Sequence, residues 1–332
     1  MSKINNRSEI LFLYDIQNAN PNGDPNDENK PRMDEETGRN IVTDVRLKRT
    51  IRDYLHEVRG NEIFVREIEK EDGTIQDAKT RAKDFGDNKT EITNSVLSSC
   101  IDVRLFGATI PLEKKKKKAK KGEQEDQEDG ESAGGTEGEG KGNSITFTGP
   151  VQFKMGRSLH SVKMIHIKGT GAFASGEKST KKTFREEDIL PYSLIAFYGI
   201  INENAGKHTL LNQDDVKLLK EAIWNGTKGL ISRSKFGQMP RLLLIVNYKQ
   251  PDFFIGDLDN LIELKSIDNI RPEQLRKPED YRIDMSQLVG QIKKHKDKIE
   301  NIEYAADDRM SFVCDGKEIE LEKLDMFKKI SL

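Results

Sequence analysis

The chain is poor in everything that would mark an exported, membrane-bound or metal-dependent protein. Its only cysteines are Cys100 and Cys314. They stand far apart without paired spacing, which excludes a disulfide framework and a cysteine zinc site and fits a reducing compartment. No apolar run approaches the ~20 residues of a bilayer crossing, and the opening MSKINNRSEI lacks the apolar core of a leader. Neither membrane contact nor export is expected, and a cytoplasmic location is. Five scattered histidines show no ligand spacing, so no metal and no other cofactor is expected. The stretch GTGAFASG, Gly169 to Gly176, lacks the third glycine of a dinucleotide loop, and no P-loop Lys-Ser/Thr pair follows any glycine turn. Asp84-Phe85-Gly86 copies a kinase triplet without the other kinase elements. Apolar residues are scarce too: 34% hydrophobic against 34% charged implies a core diluted by loops and insertions.

What the chain does have is an uneven charge distribution beneath a net charge of -2. From Pro150 to Arg185 there are eight Lys or Arg and one acid, Glu177; from Lys228 to Lys249 there are five and none. From Gln250 onward, 19 acids face 14 bases. Positive charge concentrated in interior segments creates a local field that a polyanion can find. A solvated basic face without a partner is the plainer explanation.

Between Glu113 and Gly142 lies a low-complexity block, seven lysines from Lys114 to Lys121 followed by EQEDQEDGESAGGTEGEGKG. Such a stretch buries too little surface to offset its ordering entropy, so 113–142 is expected to be a disordered insertion whose acids neutralise its lysines in cis. Around it the pattern gives a strand over Glu9–Gln17, then a turn-rich loop, NANPNGDPNDENKP. A helix capped by Thr43 or Asp44 runs to Val58, with Leu47, Ile51, Tyr54, Leu55 and Val58 on its apolar arc. A second helix covers Glu91–Ile101. Strands follow over Ile145–Met155 and Pro191–Ile201, then a helix from Asn212 to Trp224 and a buried strand, Arg241–Tyr248. The order strand, helix, strand, strand, helix, strand predicts an α+β fold: a ferredoxin-like βαββαβ arrangement of the kind used by RNA-recognition domains, with large insertions. The expected division is a core over 9–112 and 143–250, with a basic excursion at about 156–190, and a C-terminal appendage over 251–332. Fold alone does not give function.

Three basic pieces carry the candidate chemistry. On the helix from Asp44, Lys48, Arg49 and Arg52 lie beside the apolar arc, where successive cations suit successive phosphates. An exposed face with Asp53 and Glu57 as local partners explains them equally well. The excursion from Gly156 to Arg185 sets Arg157, Lys163, His166 and Lys168 among Met164 and Phe173, the mixture that binds single strands without strict sequence preference. A surface flap is the alternative. Around the turn of SRSKFGQMPR, Arg233 and Lys235 could grip phosphate or sugar. Asp24, Asp27, Glu28 and Asp34 form an acidic loop that could hold Mg²⁺ near a phosphodiester, although Asp in N-G-D-P also simply shapes turns.

The segment FLYDIQNANPNGDPNDENKPRMDEETGRNIVTDVRLKRTIRDYL, Phe12 to Leu55, closely resembles the N-terminal signature of the Cas-seven family, the repeated backbone subunit of type I CRISPR Cascade complexes. DVRLFGA, Asp102 to Ala108, and TGPVQFKMGRSLH, Thr148 to His160, are similar to the type I-B or I-C branch. The resemblance implies a right-hand-shaped, modified RNA-recognition fold whose copies stack along a guide RNA (crRNA), and matches the excursion at about 156–190 to the family's thumb hairpin and the helix carrying Lys48, Arg49 and Arg52 to a guide-phosphate contact. Arg32, Arg39 and Arg46, in the same segment, are further candidate RNA contacts. It implies further copies of the chain, other Cascade subunits and target DNA, reached through guide pairing, as partners. It also implies no catalytic activity. A related type III subunit cleaves target RNA with a loop aspartate, so a metal-dependent endoribonuclease is the alternative. The insertion 113–142 departs from the family pattern and inherits no role.

Overall fold

The computed structural model describes residues 2–112, 144–174 and 182–332, with backbone alone for 170–174 and 182–185. The expected disordered insertion, 113–142, lies outside the described residues.

Strand β1 (Ser8–Ala19) sits at the centre of a ten-stranded sheet. Its even residues Ile10, Phe12, Tyr14 and Ile16 belong to one buried cluster, and its odd residues Leu11 and Leu13 to another on the opposite face. A strand buried on both faces reads as a nearly continuous apolar run. The turn-rich loop that follows forms a short hairpin, Gly23 pairing with Pro31 and Asp24 with Lys30, and ends in β2 (Arg39–Val42).

Helix α1 (Asp44–Glu57) starts where its cap allows: the Thr43 hydroxyl accepts from Arg46 N–H, and Asp44 sits in the first turn. Such a cap is worth about 1 kcal/mol. Leu47, Thr50, Ile51 and Leu55 form the buried stripe against β1. Val58, expected on that stripe, is the C-cap residue and 64% exposed.

A helical insertion follows, with α2 (Lys89–Ser99) and α3 (Ile101–Phe106), and ends in a hairpin of β3 (Gly107–Pro111) and β4 (Ser144–Thr148). These elements close over a small core of Phe64, Ile92, Val96, Val103 and Ile110. The single strand expected over Ile145–Met155 is broken at Gly149-Pro150 into β4 and β5 (Val151–Phe153), because proline cannot donate to a ladder. Gly149 also lies against the Phe106 backbone, where a Cβ would come within 2.0 Å of its carbonyl carbon.

After β6 (Gly156–Ser158), a long hairpin of β7 (Ile165–Ala174) and β8 (Lys182–Ile201) pairs antiparallel from Ile165–Ile189 to Ala174–Lys182. The lower part of β8 runs alongside β1. Helix α4 (Gln213–Glu221) is capped by Asn212 in a reciprocal box with Asp215, and continues through a π-turn, 222–226, that packs on α1. β9 (Met239–Tyr248) then pairs with the free side of β1. Among the core strands, β9, β1, β8 and β6 are adjacent in that order, with α1 and α4 on one face.

Residues beyond 250 are packed into this body. β10 (Ile299–Ala306) pairs with β9, and β11 (Phe327–Lys329) with β10, extending the sheet. Leu258, Leu275, Tyr281, Leu288 and Ile292 cover the face carrying Leu11, Leu13, Tyr192 and Leu194. Burial of each such large side chain contributes about 1.5–3 kcal/mol, so this cover is a second core. Fully buried Glu9 ties it down: Tyr198 and Tyr248 hydroxyls and the Ile255 and Gly256 N–H groups (2.9 and 2.8 Å) all donate to its carboxylate.

Candidate nucleic-acid interface

The two flanks of α1 do different work. On one, Lys48 Nζ meets Asp44 (3.0 Å) and Gln152 (3.1 Å), while Arg52 Nε meets buried Asp102 at 3.1 Å; both cations lie over the Phe106 ring. Asp102 also accepts the N–H groups of Phe64 and Val65. Asp102 thus staples α1 to the helical insertion. Lys48 and Arg52, expected as phosphate contacts, are engaged by Asp44, Gln152 and Asp102. Arg49, on the outer surface, pairs with Asp53 at 2.7 Å.

The other flank carries Arg46. It is half-buried, its Nη2 donates to Thr50 (3.2 Å), and its Nε makes no hydrogen bond. Close to it stands half-buried Lys235, whose Nζ donates to the Asn20 carbonyl at 2.9 Å. Burial pushes the Lys235 ammonium down to about 8, and the neighbouring Arg46 charge adds to that push. Burial likewise lowers the Arg46 guanidinium. The hydrogen-bond partners of these two cations are a hydroxyl and a carbonyl, and an incoming anion would offset the cost of their burial.

The sequence folds this way locally because loops lock to one another. Asn20 N–H donates to Ser234 O (2.9 Å), Thr43 N–H and its hydroxyl donate to Asn22 Oδ1 (2.9 Å each), and Arg32 N–H reaches Asn22 O. The 230–237 turn, the asparagine loop and the start of α1 therefore share one rim. On that turn Phe236 is 65% exposed beside Lys235, an aromatic face available to a base.

The remaining candidates lie on loops near this rim or along the adjoining strands, mostly in surface ion pairs. Arg32 pairs with Asp24 (2.8 Å), Arg157 with Asp34 (2.7 Å), Arg233 with Glu187 (2.8 Å), Lys168 with Glu186 (2.9 Å) and His166 with Asp188 (3.1 Å). Arg39 and Lys163 are exposed, and Met164 packs against the core. Phe173 lies on β7, its side chain outside the described residues. Exposed pairs of this kind contribute at most about 1 kcal/mol, so a phosphate can displace the carboxylate at little cost. Arg157 lies opposite Ile41, and Val162 N–H donates to Gly38 O, which sets Arg39, Arg157 and Lys163 along one strip.

The acidic loop is committed elsewhere: Asp24 to Arg32, Asp27 and Glu28 to Lys30, Asp34 to Arg157. Among the described residues no group of three or more His, Cys, Asp or Glu is placed to hold a metal ion. No described helix is long and apolar enough to cross a membrane.

Residues 6–286 match the family model described as CRISPR-associated protein Cas7. A CRISPR-associated protein Cas7 of Haloferax volcanii is 33% identical over 317 residues, covering 92% of this chain and 88% of that protein. A chain of a solved CRISPR RNA-guided surveillance complex, pre-nicking, shares the mixed α+β fold, with a TM-score of 0.54 at 11% identity over 98% of this chain and 96% of that one.

Proposed function

Given that the chain belongs to the CRISPR-associated Cas7 family, we propose that it is a crRNA-binding backbone subunit of a Cascade-type antiviral complex, that it polymerises along the guide, and that it presents the guide for pairing with target DNA. In this reading it works in the cytoplasm with other Cascade subunits and performs no bond chemistry. The core strand order β9-β1-β8-β6 corresponds to the ferredoxin-like arrangement of RNA-recognition domains, and the β7–β8 hairpin to the family's thumb. Cations along the rim fix the phosphates; sequence specificity belongs to the guide.

The observation that carries this function is the placing of Arg46 and Lys235 at the rim, two half-buried cations whose hydrogen bonds go to the Thr50 hydroxyl and the Asn20 carbonyl. Burial, with the Arg46 charge nearby, disfavours the Lys235 ammonium, a cost that a sugar-phosphate backbone relieves, and Phe236 next to Lys235 offers a face for a base.

The test is the double variant Arg46→Ala with Lys235→Ala. The expected result is a folded protein that loses co-purifying crRNA and forms short assemblies, with a shallower dependence of affinity on salt. Unchanged RNA content at unchanged salt slope overturns the assignment. Mg²⁺-dependent RNA cleavage abolished by Asp24→Ala or Asp34→Ala would replace it with the endoribonuclease alternative.

A further inference from the structure

A cleft of about 320 Å³ opens where the root of the β7–β8 hairpin meets the loop 271–276, lined by Lys163, Ile165, Pro191, Arg271, Gln274 and Arg276, with Glu273 beside them. It lies at the lower end of the roughly 300–1,000 Å³ range of small-ligand pockets.

Its two lips come from distant segments, with 112 positions separating both His160 from Pro272 and Ser161 from Glu273, and are fastened together. Buried His160 contacts the carbonyl of Pro272 through Nδ1 at 3.0 Å, and its Nε2 accepts Leu194 N–H at 3.2 Å. The Ser161 hydroxyl donates to Glu273 Oε1 at 2.5 Å. Leu275 is fully buried in the second core, and Gln17 Nε2 donates to Arg276 O at 2.6 Å. Arg271 and Arg276 are thereby set on either side of a fixed anchor.

The lining has two chemistries. Lys163, Arg271 and Arg276 bring three exposed cations, while the one carboxylate, Glu273, is engaged by Ser161. Arg271 Nε bonds weakly to Gln274 (3.3 Å), and Arg276 Nη1 to the carbonyls of Glu273 and Leu275. Pro191 and the flank of Ile165, which is 42% exposed, add apolar surface to the same lining. Cations from both lips together with apolar surface suit a phosphodiester with its attached sugar or base, and no single small anion needs both.

Resting on the RNA-binding reading above, we propose that this cleft is a separate nucleotide site, in which Lys163, Arg271 and Arg276 hold one phosphodiester of a single strand and Ile165 and Pro191 press on the adjoining sugar or base. The segment 271–276, from the acid-rich end of the chain, thereby joins the nucleic-acid surface.

The experiment compares the full chain with Arg271→Glu, Lys163→Glu and Arg46→Ala/Lys235→Ala. Each is titrated with a labelled single-stranded ribo-oligonucleotide and then with complementary DNA, with thermal unfolding as the folding control. Arg271→Glu and Lys163→Glu each weaken binding about tenfold at unchanged thermal midpoint, with a salt slope smaller by about one contact. Loss at the RNA step assigns the cleft to the guide; loss only after DNA addition assigns it to the target strand. Both outcomes support a nucleotide site. Affinities within twofold of the parent at both steps overturn it, and if Arg46→Ala/Lys235→Ala still loses RNA, the RNA-binding reading survives that failure. Retention by every variant overturns both. Should a charge reversal fail to fold, Arg271→Gln takes its place.

Discussion

Arg52 Nε lies 3.1 Å from Asp102 Oδ2, and the carboxylate it reaches is wholly shielded from solvent. This pair joins α1 to the helical insertion and sits over Phe106. Removing one member of a buried ion pair strands the other, at a cost of about 3–5 kcal/mol. Arg52→Ala is therefore expected to lower the urea midpoint sharply while the folded fraction keeps its RNA affinity. An Arg52→Ala protein of parental stability would remove the staple role.

In the proposed RNA-binding role, Lys235 is expected to make affinity sensitive to alkaline pH. Its ammonium titrates at about 8 because of burial and the nearby Arg46 charge. A bound phosphate favours the charged form, so binding takes up a proton near and above that pH, and affinity falls as pH rises from 7 to 9. In Lys235→Arg the guanidinium stays charged, and the decline between pH 7 and 9 flattens. A parallel decline in both proteins would locate the titration elsewhere.

His160 makes folding sensitive to acid. Burial against Tyr192 holds its imidazole below 6.5, outweighing the Ser161 and Pro272 carbonyls at Nδ1, which pull the other way. A folded-state value below the unfolded one means that the unfolded chain binds the proton first. Stability is thus complete above about 6.5 and falls with pH until the folded-state value is passed. Hydrogen exchange of Leu194 and of the 270–276 amides should accelerate between pH 6.5 and 5. Equal protection at pH 5 and 7 would contradict this.

Gly149 is a close-approach position. A methyl there would sit 2.0 Å from the Phe106 carbonyl carbon, and Gly107 across the hairpin, at φ +71°, is equally hemmed in by Phe147 O and Gly149 N. Backbone cannot rotate away as a side chain can, so Gly149→Ala should cost more than the 1–3 kcal/mol typical of core overpacking. Thermal unfolding checks it; a change under 0.5 kcal/mol would mean that the turn adapts.

Much of the architecture was legible in local pattern. Thr43 and Asn212 announce their helices through side-chain caps, and RLLLIVNY reads as a buried strand. The candidate site was legible only by composition. Lys48 and Arg52 look no different from Arg46 on a helical projection; what separates them is Asp102, fifty positions downstream, and Lys235, still farther. Arg271 and Arg276 stayed hidden because they stand in a segment where acids outnumber bases, and charge counting averages over a fold that selects individual side chains. The second apolar face of β1, with Leu11 and Leu13, went unread, and nothing local identified residues beyond 250 as its cover.

That cover changes what the sheet can be used for. With Tyr192 and Tyr198 enclosed beneath Leu258 and Tyr281, the central strands are an inner wall and offer no platform on which bases could lie flat. In the proposed function nucleic acid is left with the rims, where loops would grip a strand by its backbone and leave the pairing edges turned outward, the posture required of a template. A protein cut after Tyr248 would uncover a broad greasy surface, and it should emerge as aggregate before any question of RNA arises.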